Sequence, residues 1–178
     1  MPYKKAKPGK NGMTVVYSGD SSVLVKKDGT LSWRNNNPGN LACGSFSKMN
    51  GAIGCNKGFA VFPDTETGSN AQNKLLKGKK YQDKTIAGAM VSYAPPNENN
   101  TEKYIQYVTK KTGMSRDKKL GNMTPQEFDK FTGAIRRYEN LTPGTELKFR
   151  TLKRVGDTVY RMEKGKVVGS FICHGRKK

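Results

Sequence analysis

Glu98 is the first residue of this sequence that points to catalysis. It sits in Tyr93-Ala-Pro-Pro-Asn-Glu-Asn-Asn-Thr-Glu102, between two helical patterns, with amides on both sides. Pro95 and Pro96 stiffen the approach by removing backbone freedom, and Tyr93 and Tyr104 flank the segment. A carboxyl partly withdrawn from water in such surroundings stays protonated near neutral pH, as the general acid of glycoside cleavage must. The same position also suits an acid at a helix entry, paired with capping amides. Glu139 is the second candidate. It ends the run Ala134-Ile-Arg-Arg-Tyr-Glu139, at the C-terminal end of a helical pattern, where the dipole opposes negative charge. An ion pair with Arg136 or a downstream lysine is the alternative there. Glu102 is a third candidate, and its place early in a helix also suits an acid complementing the dipole; Asp64 and Glu66 precede another helix that they can cap.

Other chemistries lack their residues. His174 is the only histidine, so a Ser-His-Asp triad or a Cys-His pair would depend on one imidazole beside a basic tail. No Cys-x-x-Cys pair offers zinc ligands, so neither metal nor cofactor is expected. Cys43 and Cys55 flank a Gly- and Ser-rich stretch, with Cys173 left over. A bridge closing that stretch fits an oxidising compartment; two free, half-buried thiols are the other reading.

The elements that must position these groups follow from periodicity. Residues 1–12 read as a disordered basic leader. Short β-branched runs at 13–17 and 23–27, the turn Asp28-Gly29 and the run Thr30–Trp33 predict a small β-hairpin unit. Arg34 to Asn40 is turn-dense, and Phe59–Phe62 is a short apolar piece ended by Pro63. Helical spacing predicts helices over about 69–77, from Thr85 to Pro95, from an Asn100 cap to Gly113, and from a Thr124 cap with Pro125 in the first turn. Phe128, Phe131, Ile135 and Tyr138 form the core face of the last of these. After Pro143-Gly144 the period falls to two, giving two or three strands. The expected class is α+β: a mainly helical body with small N- and C-terminal β elements, organised as a leader (1–12), a catalytic domain (13–145) and a small basic β appendage (146–178).

The chain carries 33 Lys plus Arg against 14 Asp plus Glu, a formal charge of +19. The excess is spread along the whole chain and is densest after residue 146, which points to an extended polyanion. Nucleic acid, anionic lipid and a bacterial wall all qualify, and solubility alone is the plain alternative. No apolar run is long enough for a membrane span, and the basic start has no apolar core of a secretory signal.

The segment Trp33-Arg-Asn-Asn-Asn-Pro-Gly-Asn-Leu41 resembles the opening of a family of lytic domains found in phage structural proteins and in effectors of the bacterial type VI secretion system. Gly58-Phe-Ala-Val-Phe62, Gly68, Ala71, Thr85-Ile86, Tyr93-Ala-Pro-Pro-Asn-Glu-Asn-Asn-Thr101, Tyr104-Ile105 and Gly113 follow in that family's order, so the resemblance runs from about Trp33 to Glu139. It implies a lysozyme-like helical domain that cleaves peptidoglycan glycan strands, with Glu98 as the acid and Glu139 as its partner. Asn140 stands where relatives often have glycine, which leaves the loop geometry after Glu139 open. The implied substrate contacts are Asn35, Asn37, Asn99 and Asn100 for hydroxyl and acetamido groups, and Tyr93 and Tyr104 for sugar faces. The implied setting is an antibacterial effector delivered into the target periplasm by a secretion apparatus, with a carrier and a cognate immunity protein as partners. Hydrolysis and a lytic transglycosylase outcome both remain open. The reading from another class is a non-catalytic basic module binding nucleic acid or anionic wall; no nucleic-acid motif is present, so a nucleic-acid partner is not expected.

Overall fold

The computed structural model describes residues 3–9, 12–20, 22–97, 100–151, 158–163 and 166–172, with side chains described through Phe149. Glu98, Asn99, Cys173, His174 and the expected turns at 155–157 and 164–165 lie outside the described residues.

Two strands of the N-terminal region follow from alternation. β2 (Thr14–Ser18) and β3 (Ser22–Lys27) pair antiparallel, and Val15, Tyr17 and Leu24 turn inward. Lys26 occupies the next inward position of β3 and is only 4% exposed. An unpartnered ammonium there would be costly. Its Nζ donates to Trp33 O (3.1 Å) and Asn36 Oδ1 (2.7 Å), pairs with Glu146 (3.4 Å) and lies over the Trp33 ring. Burial pushes this ammonium below the usual lysine range, and the charge of Glu146 pulls the other way.

Helices start where side chains satisfy the first free N–H groups. In chain order they are α1 (Leu31–Arg34), α2 (Ser45–Met49), α3 (Thr65–Leu76), α4 (Lys79–Gln82), α5 (Ile86–Tyr93), α6 (Thr101–Thr112) and α7 (Pro125–Glu139). Asp64, Thr85, Asn100 and Thr124 each accept a backbone N–H at the start of α3, α5, α6 and α7. Glu127 completes a reciprocal cap on α7, and Gly113 ends α6 at φ 71°. These helices bury one apolar cluster, with Ile86, Met90, Val108, Phe131 and Ile135 fully inside. A second cluster gathers Ala6, Val15, Tyr17, Leu24 and Val61, and a third, around Leu41, Ala60, Phe62 and Ala71, joins the loop region to α3.

The expectation of a mainly helical, lysozyme-like body with small terminal β elements is overturned. β1 (Lys5–Pro8), β2, β3, β6 (Thr145–Thr151), β7 (Thr158–Glu163) and β8 (Lys166–Ile172) form one six-stranded antiparallel sheet in that order. The chain is a mixed α+β protein in which strands from both ends build a single layer. A second, two-stranded sheet, β4 (Gly54–Asn56) with β5 (Phe59–Val61), packs beside β1.

Three local expectations change with that sheet. Residues 5–8, read as disordered, are strand β1, because they pair with β2 and Ala6 N donates to Ile53 O (3.0 Å). Residues from 146 are no detached appendage, since β6 pairs with β3 from Ser22↔Arg150 to Lys27↔Thr145. Thr30–Trp33, read as β, turns helical: Thr30 Oγ1 accepts from Trp33 N, and Arg34 Nη1 donates back to Asp28 O (3.0 Å) and Gly29 O (2.6 Å). β6 then takes the place beside β3 that the expected third strand would have had.

Cys43 and Cys55 are joined in a disulfide across twelve residues, tying the segment before α2 to β4. Reduction should cost about 2–3 kcal/mol through the unfolded chain. Denaturant unfolding with and without reductant measures this, and coincident curves would show that the bridge adds no stability.

Candidate functional site

The turn between α1 and residue 41 is built from asparagines with different tasks. Asn36 and Asn40 adopt φ of 50° and 48°, a region that asparagine tolerates better than other side-chain-bearing residues. The side chains at 35–37 then face inward. Asn37 Nδ2 donates to Leu41 O (2.9 Å) and Ala60 O (3.0 Å), and its Oδ1 accepts from Leu41 N. Asn36 Nδ2 donates to Phe62 O (3.0 Å), and Asn35 Oδ1 accepts from Asn56 Nδ2 (2.9 Å). Helix α3 presses on this turn through Gly68, where a Cβ would come within 2.1 Å of Asn36 O. On the cleft side, a Cβ on Gly39 would meet Tyr93 Oη and Gln72.

The far end of the turn delivers Asn40 to the end of α7. Asn40 Nδ2 donates to Glu139 Oε2 (2.6 Å), and Tyr104 Oη donates to Glu139 Oε1 (2.7 Å). Ser32 Oγ donates to the carbonyls of Glu139 (3.2 Å) and Asn140 (2.6 Å), satisfying the otherwise free end of α7. Asn140 takes φ 56°; asparagine thus adopts the positive φ that a glycine would supply. Arg136 does not pair with Glu139: its guanidinium donates to Gln72 Oε1 (2.7 Å) and Asn73 Oδ1 (2.7 Å).

Glu139 opens into a cleft of about 460 Å³. Residues 39–42 and Phe59 form one wall, and Tyr81, Tyr93 and Pro95 contribute to the other. Tyr93 Oη donates to Gly39 O, bracing the two walls against each other. Burial, and then the charge of Glu139, raise the Tyr93 and Tyr104 phenols well above the usual tyrosine value. Tyr104 therefore remains a neutral donor throughout the working pH range. Among the described residues no cation pairs with Glu139. Each of its oxygens has accepted one neutral donor, and a carboxylate has about four acceptor positions in all. The remaining lone pairs are acceptors available to a group in the cleft.

The sequence-predicted residues fall into different places. Glu139 and Tyr93 line the cleft. Tyr104 is buried, stacked at 3.7 Å on Tyr138, and acts on the carboxylate from behind rather than offering a sugar platform. Asn35 and Asn37 are inside the protein and bonded as described, so they frame the cleft wall without facing it. Asn100 is exposed and caps α6 through Lys103 N. Glu98 and Asn99, outside the described residues, follow Pro95 of the cleft wall by three and four positions. Sequence reasoning missed Asn40 as a partner of Glu139. The two are 99 residues apart, and no local signal connects them.

Comparisons with known proteins are sparse. No family model matches the chain. Protein P5 of Pseudoalteromonas phage PM2 is 35% identical over 97 residues, covering 51% of this chain and 61% of that protein. The chain thus matches about three-fifths of the length of that relative. No solved structure matches, so the lysozyme-like assignment of the fold has no structural counterpart behind it. No helix among the described residues is long and apolar enough to cross a membrane.

The raised phenols have a consequence for stability. A tyrosine whose folded value lies above its unfolded value of about 10 contributes stability that is intact below pH 10 and is lost above it, because only the unfolded chain releases the proton. Tyr17, Tyr93 and Tyr104 share this direction. Stability should therefore fall as pH rises past about 10. Part of the tyrosinate absorbance should appear only together with loss of circular dichroism. Full tyrosinate absorbance in a still-folded protein would contradict this burial.

Proposed function

We propose that the chain cleaves the glycan strand of peptidoglycan, as a glycoside hydrolase whose reacting carboxyl in the cleft is Glu139. The observation that carries this is the carboxylate itself: half-buried, held by Asn40 and Tyr104, unpaired by any cation among the described residues, and open to a cleft with aromatic walls. Such a group exchanges a proton with a substrate oxygen or an attacking water, and its orientation is fixed before substrate arrives. Glu98 is the second carboxyl of the proposal, taken from the resemblance of its segment to the lytic family, and acts as the acid on the leaving oxygen. The separation of the two carboxyls decides between retention and inversion, whereas a lytic transglycosylase outcome needs only one carboxylate.

Two further observations support the reading. The charge of +19 draws the protein to an anionic wall, and the matched relative is a phage protein, in line with a family that includes phage lytic proteins. Use as an antibacterial effector in a target periplasm, with a carrier and an immunity protein, belongs to the same proposal. The Cys43–Cys55 bridge is compatible with that oxidising compartment.

Glu139→Gln should lower lysis of purified sacculi by about 10²–10⁴-fold while the melting temperature stays near that of the parent protein. Glu98→Gln should lower lysis in the same range. Asn40→Gly keeps a residue suited to φ 48° but removes the amide, so turnover should drop without unfolding. Full lysis by the Glu139→Gln protein would remove the cleft from the mechanism. Mass spectrometry of the released fragments, comparing reducing-end with anhydro products, identifies the reaction.

A further inference from the structure

A second hollow, larger than the Glu139 cleft, lies against the sheet. It has a volume of about 710 Å³. Tyr3, Leu24 and Phe149 supply its apolar surface, and Ser22, Asn36 and Thr65 supply neutral polar groups. Its charged groups are two lysines, Lys26 and Lys148, and two carboxylates, Asp64 and Glu146. A polyanion would meet Asp64 and Glu146, and a cation would meet the lysines, so neither is the matching ligand.

The lining is also held in place. Asp64 Oδ1 accepts from Thr67 N and Oγ1 (both 2.7 Å). Glu146 lies between Lys26 (3.4 Å) and Lys148 (3.6 Å). The Tyr3 ring packs on Tyr17 at 5.8 Å and is half-buried. Fixed carboxylates and the Ser22 and Thr65 hydroxyls beside aromatic and aliphatic surface match a neutral, polyhydroxylated ring. Its hydroxyls donate to the carboxylates and accept from the exposed Lys148 ammonium, since Lys26 has its three donors on Trp33, Asn36 and Glu146, and its C–H face lies on the apolar wall. Asn36 lines this hollow, and Gly39 and Asn40 of the same turn line the Glu139 cleft.

We infer that this groove is a second, non-catalytic binding site for a neutral glycan, separate from the cleft at Glu139. The inference stands on the lining of the groove and does not require catalysis at Glu139.

The test is calorimetric titration of the full chain carrying Glu139→Gln with a hexamer of N-acetylglucosamine, which is uncharged. Binding should occur, and adding Tyr3→Ala should weaken the groove's binding event by about tenfold or more. Thr65→Trp, which places a large side chain at the rim of the groove on an exposed position of α3, should have the same effect and decides the matter if Tyr3→Ala fails to fold. Raising salt from about 50 to about 500 mM should change the affinity little, because the ligand carries no charge. Titrations unaffected by either substitution would overturn the site. So would binding that survives only at low salt or only with an anionic polymer. On protein with Glu139 intact, Tyr3→Ala should reduce sedimentation with sacculi while leaving cleavage of soluble fragments unchanged. These titrations read binding alone, so failure of the Glu139 variants to lose lysis would remove the hydrolase reading and leave the groove standing.

Discussion

Burying three consecutive asparagines is the constraint on which the rest of this structure depends. An amide inside a protein costs about 1–3 kcal/mol when its hydrogen-bonding groups go unmet. Here Asn35 Oδ1 and both side-chain polar atoms of Asn36 and Asn37 reach Asn56, Phe62, Ala60, Leu41 and Lys26, and Asn35 Nδ2 is the one amide atom of the three that no partner meets among the described residues. The turn is therefore a polar knot around which β3, β5 and α3 are assembled. Its rigidity has a direct result at its far end: Asn40 arrives beside Glu139 with its backbone already committed to a positive φ.

Two buried cations serve the same knot in different ways. Arg34 gives its guanidinium to the carbonyls of the Asp28-Gly29 turn, and Lys26 gives its ammonium to Trp33 and Asn36. Each converts unsatisfied carbonyl oxygens near the core into partners of a charged donor, a stronger bond than a neutral pair provides. The basic composition of the chain is thus not all surface. At least these two positive groups are structural, and they fasten the sheet to the loop that carries the cleft wall.

What the sequence disclosed was local. Thr85, Asn100 and Thr124 are helix caps recognisable from type and position alone, because the groups they satisfy lie within three residues. Glu139 was recognisable as a carboxyl at a helix end for the same reason. What stayed hidden was non-local. Thr30–Trp33 has strand-like residues, but its side chains and those of Arg34 close a helical turn against distant carbonyls. The pairing of β3 with β6 merges two β regions that the sequence presents as separate. The asparagines show the limit most clearly. Residue type reveals that an amide can bond a sugar, and only the fold reveals that Asn35 and Asn37 have already bonded the protein. Asn40, in the same short motif, is the one whose amide reaches the carboxylate.

The strand order also bears on how the chain acquires its shape. β3 ends at Lys27 and its neighbour β6 begins at Thr145, with every helix of the described residues between them. The early hairpin therefore waits, one edge unsatisfied, until residues 145–151 have left the ribosome. The helices, whose contacts are closer in sequence, can condense first. During that interval β3 offers bare peptide groups to any other extended segment, a recognised route to misassembly. Lys26 and Lys27 at its end place positive charge on the waiting edge, and like-charged copies of the nascent strand repel one another before the correct partner arrives.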